Sequence, residues 1–260
     1  MENKKYKLTD ETTNLLGRTL YRIEALKDFN GVKKGDKGGF IESEQNLSQN
    51  GNCWIYNNAM VYDDAVIDDN ACVSGNARVY GEALVYGIAC VYGYACVFGC
   101  ACVYDNALVS GNGQVYGNAR VCGNSRVYGN ACVYGDARVY GDAFVRGDSR
   151  VCSNARVYNH ACVSDNVRVY GDALVRGYAY VCGDAEISNK SDYIVFQNWW
   201  SSGRYFTWTR SNNMWSVGCF YGTGEELIKK AYKDSSKSGR QYERIVKYVE
   251  ETLKEEENGE

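Results

Sequence analysis

The chain has 260 residues, no proline, twelve cysteines and a single histidine, with a formal net charge of −3. That balance gives no electrostatic footprint for duplex nucleic acid, and no apolar run approaches the roughly 20 residues that cross a bilayer. The start, Met1 to Lys5, shows no signal-peptide pattern, so the expectation is a cytoplasmic protein whose cysteines stay reduced.

Residues 1–40 carry no clear repeat and are expected to form an N-terminal β cap, since the solenoid that follows would otherwise begin with an open core and unpaired strand edges. Within them Thr19 to Phe29 alternates as a strand does, and Gly35, Gly38 and Gly39 predict turns before the first coil.

From 41 to 190 one period dominates. Every sixth residue from Ile55 to Ile187 is Val or Ile, twenty-three positions without an insertion. The unit reads V-Y-G-N-A-R, as in Val115 to Arg120. Numbering its slots from the aliphatic residue, slots one and five face one side of a strand and are core, whereas slots two and six face out. Slot three is glycine in fifteen hexads and slot four is mostly Asn or Asp; both read as residues that accept positive φ at a corner. Corners this short prevent successive strands from pairing, so pairing must run between coils. Three hexads make one turn of a triangular parallel β-helix, about seven to eight coils and roughly 35 Å long. The absence of proline fits inner strands that need every ladder donor.

Outward slots stack in columns eighteen residues apart. Tyr62, Tyr80, Phe98, Tyr116 and Tyr134 form one, read either as a stabilising ring ladder or as a surface for a partner. Arg120, Arg138 and Arg156 form another, read as paired with corner acids such as Asp136, Asp142 and Asp148, or as an anion-binding strip. One coil, Tyr86 to Tyr104, loses its polar corners: Ile88, Tyr94 and Cys100 fill slot four in succession. Isoleucine suits positive φ poorly, and the apolar belt predicts contact with a second subunit. Cys90, Cys96 and Cys102 fall on three faces and cannot share a metal. Cys72 and Cys90 stack on one face, but two thiols without a histidine make an incomplete site, so no metal is expected.

Residues 191–260 change character. Strands near Asp192 to Trp200, Arg204 to Ser211 and Met214 to Tyr221 predict a three-stranded meander, and Gly224 to Lys233 and Gly239 to Lys254 predict two helices. The acidic end, Glu255 to Glu260, reads as frayed. Trp199, Trp200, Trp208 and Trp215 build the core of this α+β module or present an aromatic surface.

The hexads resemble the hexapeptide-repeat family, and the resemblance implies a left-handed β-helix and side-by-side trimers. Tyr21 to Phe29, Gly38 to Glu42, Asn46 to Ser48 and Cys53 to Ile55 are similar to the opening of prophage-encoded hexapeptide proteins labelled as acyltransferases. In acyltransferases of this type a histidine on the β-helix between subunits is the general base. His160 is this chain's one candidate; it sits in slot four, where it also reads as a left-handed corner residue. Its neighbourhood, His160-Ala161-Cys162, is similar to the His-x-Cys stretch of lipid A acyltransferases but displaced by one slot, and no loop interrupts the hexads to wall an acceptor pocket.

Three functions stay open. The first is a phage-type binding or scaffold protein without catalysis or cofactor, recognising a protein partner or sequestering a small anionic ligand. The second is an acyl-CoA-dependent acyltransferase using His160. The third is a structural assembly element, which caps at both ends would oppose.

Overall fold

A computed structural model describes residues 4–259; Met1 to Asn3 of the cap and Glu260 of the acidic end lie outside the described residues. The hexads form a parallel β-solenoid whose rungs, two residues each, assemble into three flat sheets. Face A stacks Met60–Val61 through Glu186–Ile187, face B Trp54–Ile55 through Tyr180–Val181, and face C Val66–Ile67 through Leu174–Val175. Each rung pairs in register with the rung eighteen residues on, as Arg120 with Arg138 and Val121 with Val139. Backbone N–H groups of slots two, four and six donate to the next coil: Cys122 to the Val139 carbonyl at 2.9 Å, Asn124 to Gly141 at 2.8 Å and Arg126 to Ala143 at 2.9 Å. The slot-one Val and slot-five Ala residues line the interior without solvent contact, each buried valine contributing about 1.5–3 kcal/mol.

The corners differ from the sequence reading. Positive φ occurs in slot three alone, at glycine or at Asn57, Asp63, Asp69, Asp105, Ser153, Asn159 and Asp165. Slot four keeps ordinary φ, so neither Ile88 nor His160 is a left-handed residue; Gly87 and Asn159 before them take that conformation. The slot-three Cβ points at the next coil's backbone, and an aspartate uses this: Asp63, Asp69, Asp105 and Asp165 accept from the amides of Gly81, Gly87, Gly123 and Gly183 at 3.0–3.2 Å. Slot-four Asn and Asp instead form amide ladders along the edges, as Asn112 to Asn130 at 2.9 Å and Asn130 to Asp148 at 2.8 Å.

The N-terminal cap is an antiparallel sheet of β1 (Tyr6–Leu15), β2 (Arg18–Ala25) and β3 (Lys37–Ile41), of which only the middle strand was expected. Polar, charge-rich β1 has no hydrophobic alternation to announce it. Strand β3 pairs in parallel with Met60–Val61, so the cap extends face A without a break. Gly35 turns the chain at φ 93°, but Gly38 and Gly39 lie inside β3, where a Cβ would stand 2.6 Å from the Ile55 carbonyl oxygen and 2.4 Å from Ile55 Cγ2. They are glycines for close packing, not for turning.

The C-terminal module has four strands rather than three: β4 (Tyr193–Gln197), β5 (Tyr205–Thr209), β6 (Met214–Val217) and β7 (Phe220–Gly222). Gly218, at φ 59°, opens a tight turn after Val217 and splits the last expected strand into a hairpin. Helices α1 (Gly224–Asp234) and α2 (Ser236–Asn258) pack on the sheet through Leu227, Ala231, Tyr242, Val246 and Val249. A capping box between Thr223 and Glu226 starts α1. Ser235 caps α2, which therefore begins three residues earlier than expected and runs through the acidic segment to Asn258 instead of fraying. Trp200, Trp208 and Trp215 are buried, whereas Trp199 is 75% exposed and lies outside the core.

This module closes the last coil with side-chain hydroxyls. On face C the Tyr193 phenol accepts from the Arg176 amide at 3.2 Å and donates to the Leu174 carbonyl at 2.9 Å. On face B Thr207 Oγ1 accepts from the Tyr180 amide and Ser216 Oγ donates to the Tyr180 carbonyl, at 2.9 and 2.6 Å. On face A Ser211 Oγ accepts from the Glu186 amide at 2.7 Å. Groups that a further coil would have paired are thus satisfied.

Two outcomes follow from the stacking. A Cβ at Gly117 would lie 3.0 Å from the Gly135 amide nitrogen, so Gly117→Asp should be tolerated, whereas Gly117→Val should lower unfolding stability in urea by about 2–3 kcal/mol. Cys72 and Cys90 stack on face B, and hydrogen bonding from the Cys72 thiol holds Cys90 down at about 7 while Cys72 is pushed up. Alkylation of Cys90 by iodoacetamide, followed by mass spectrometry, should rise with pH through about 7, and Cys72→Ala should move that rise to higher pH.

Candidate functional site

The structure keeps the residues singled out in the sequence on separate parts of the prism. Tyr62, Tyr80, Phe98, Tyr116 and Tyr134 stack with ring centroids 4.8–5.0 Å apart and nearly parallel planes. The N-terminal cap covers the start of this column, because Tyr62 is buried against Leu20 and Phe40. Burial pushes its phenol up to about 12. The rings present edges outward, and their faces are used by one another.

Arg120, Arg138 and Arg156 are adjacent on face C, and all three are exposed. The expected pairing with corner acids does not form: among the described residues none of the three makes an ion pair. Asp136, Asp142 and Asp148 accept instead from Asn118, Asn124 and Asn130 in the edge ladders. Ile88 and Tyr94 are 54% and 66% exposed, and Cys100 is exposed with its thiol 3.4 Å from Glu82. On its edge Ile88 interrupts an amide ladder, following the pair Asn52 and Asn70 and preceding Asn106 and Asn124; on the other two edges the ladders begin after Tyr94 and Cys100, at Asn112 and Asn118.

His160 continues that same edge. Its Nδ1 lies 3.5 Å from Asp142 Oδ2, itself the end of the ladder through Asn106 and Asn124. The imidazole stacks on Tyr178 at 4.8 Å, and Tyr178 stacks on Tyr205 of β5 at 4.2 Å. An amide ladder thereby becomes a ring stack that crosses from the solenoid to the C-terminal module.

Beside that stack lies an open cleft of about 430 Å³ lined by Arg146, Tyr178, Tyr180, Arg204, Tyr205 and Gly218. Arg146 Nη1 donates to the Tyr128 phenol at 3.4 Å and Nη2 to the Tyr180 phenol at 3.2 Å. These neutral acceptors, Tyr128 foremost, hold the guanidinium firmly protonated, and among the described residues neither Arg146 nor Arg204 has a carboxylate partner. Two guanidinium groups, phenols and a flat ring wall suit a small anion. Sequence reasoning passed over these residues because Arg146 looked like one more outward slot. Its signal was an arginine in a column otherwise made of Tyr, Ser and Cys, one coil after Tyr128.

The repeats match a family model described as the YdcK beta solenoid repeat, over residues 71–87, 101–117, 113–129 and 125–141. A 37-residue segment is 54% identical to the Uncharacterized acetyltransferase YdcK of Escherichia coli (strain K12). That match spans 14% of this chain and 11% of the relative, so the likeness concerns the repeat and not the whole relative. The matched windows, each about one coil long, fall within the three-sided in-register stack, so this chain is a β-solenoid built of six-residue repeats and similar in those repeats to YdcK.

Proposed function

We propose that the chain is a non-catalytic binding solenoid that takes a small anionic ligand in the cleft between its last coils and the C-terminal module. The observation that carries this is Arg146, held by two phenols and without a carboxylate partner among the described residues, with Arg204 lining the same cleft. Placing a guanidinium without its counter-charge is favourable where an anion completes it. The uninterrupted hexads support the same reading, since no loop leaves the solenoid to wall an acceptor site. Titration calorimetry with inorganic pyrophosphate should show binding that weakens with salt. Arg146→Gln should weaken it at least tenfold, the loss of a hydrogen bond to a charged group being about 1.5–3 kcal/mol. Equal affinity in both proteins would remove the reading.

One observation favours acyl transfer as a second reading: His160 is half exposed, its Nδ1 lies 3.5 Å from Asp142 Oδ2, and it stacks on Tyr178, which lines the cleft. A carboxylate beside a histidine is what a general base would use, and the relative's name includes an acetyltransferase. An His160→Ala variant that still transfers an acetyl group from acetyl-CoA would exclude it.

Ile88 and His160 share one edge, four coils apart. A second copy packed along this edge would cover Ile88 and approach the cleft, and we assign that part of the belt to the contact. The combined change Ile88→Asn, Tyr94→Asn and Cys100→Asn restores the corner amides. Sedimentation should then give a smaller mass than wild type with the monomer still folded; an unchanged mass would rule the contact out.

A further inference from the structure

The first coil holds a buried pair that neither the cleft nor the stacking requires. Lys5, immediately before β1, is 1% exposed, and Cys53, immediately before the first rung of face B, is fully buried. Lys5 Nζ donates to the carbonyls of Asn50 and Cys53, each at 3.0 Å, and lies 3.2 Å from Cys53 Sγ. Carbonyls of Ser48, Asn50 and Ile67 surround the sulfur at 3.6–3.7 Å. Phe29 lies over the amine at 5.5 Å, and the Trp54 ring packs edge-on to both Phe29 and Tyr6. A lysine whose role was only to cap carbonyls would not need a thiol as its third partner.

We propose that Lys5 and Cys53 form a covalent cross-link under oxidation by hydrogen peroxide, reversible by thiols, that latches the N-terminal strand onto the first coil. In the first step peroxide converts the thiol to a sulfenic acid and releases one water. The lone pair of neutral Nζ then attacks sulfur; the N–S bond forms as the S–O bond breaks, and the departing hydroxide takes a proton from nitrogen as a second water. One thiol, one amine and one peroxide thus give one sulfenamide and two waters, with sulfur oxidised and peroxide reduced.

The surroundings favour the attacking amine and restrain the thiol. Burial pulls the Lys5 ammonium down, toward the neutral amine that attacks, opposed by Cys53 and Asp68 and assisted by Lys27. Burial likewise pushes the Cys53 thiol up, so little thiolate is present and the oxidation is the slow step. The turn over the sulfur is exposed from Asn50 to Asn52, and a molecule the size of peroxide needs only a small opening there. A sulfenic acid formed inside this cage meets the amine before it meets a second thiol, because the other cysteines lie on outward slots, at the corner of Cys100 or in the C-terminal part of the chain.

The full chain should be alkylated in its native state to block accessible thiols, treated with peroxide, digested at acidic residues and mapped by tandem mass spectrometry. The expected product is a peptide pair joined through Lys5 and Cys53, lighter than the sum by about 2 Da and separated by dithiothreitol. Recovery of Cys53 as a sulfinic or sulfonic acid, or in a disulfide, with Lys5 unmodified would overturn the proposal. Lys5→Arg keeps a cationic cap but has no neutral amine, so the joined pair should vanish while Cys53 oxidises further. If that variant does not fold, the wild-type map decides alone.

Discussion

The hydrogen bond from the amide of one residue to the carbonyl seventeen positions later governs this molecule. Because it recurs on all three faces without slippage, every side chain meets the side chain eighteen residues away and no other along its edge. The chain therefore chooses a column of chemistry wherever it chooses a slot. Rings stack face to face, amides hand hydrogen bonds along the corners, and like charges have no relief. The arginine column on face C is tolerated because it faces water, where like-charge repulsion is screened.

A prism of this kind makes flat faces and straight edges, and these are poor at enclosing anything. Concavity arises where the repeat stops. The cleft at Arg146 exists because Tyr178 and Tyr180 belong to the last turn and Tyr205 and Gly218 to the module that closes it. His160 reaches that place by being next in line on its edge, not by any departure of the backbone. The guanidinium groups and phenols of the cleft thus meet at a boundary between two architectures, one supplying rigid register and the other supplying shape.

Much of the fold was legible, because the Val and Ala slots report burial directly and an unbroken period reports register. The corners were legible only to within one position: glycine, asparagine and aspartate occupy both slots three and four, and composition alone does not say which takes the left-handed turn and which ladders. The edge strand β1 was illegible because its face is polar, and Gly38 and Gly39 were misleading because close packing and turning call for the same residue. The ring column was legible as spacing. The cleft was not, since Arg146 and Arg204 are 58 positions apart and nothing in a hexad announces which outward slot will face a neighbouring module.

The hydroxyls that close the last coil also set a phase. Tyr193 fits face C, Thr207 and Ser216 fit face B, and Ser211 fits face A, each to a different rung end. Removing or adding one hexad would present each docking group with the wrong side of the triangle, a rotation of about 120°, whereas a change of three hexads would return the same end. Such a molecule can grow or shrink in evolution only by whole turns. Its length is quantised, with the C-terminal module as the gauge.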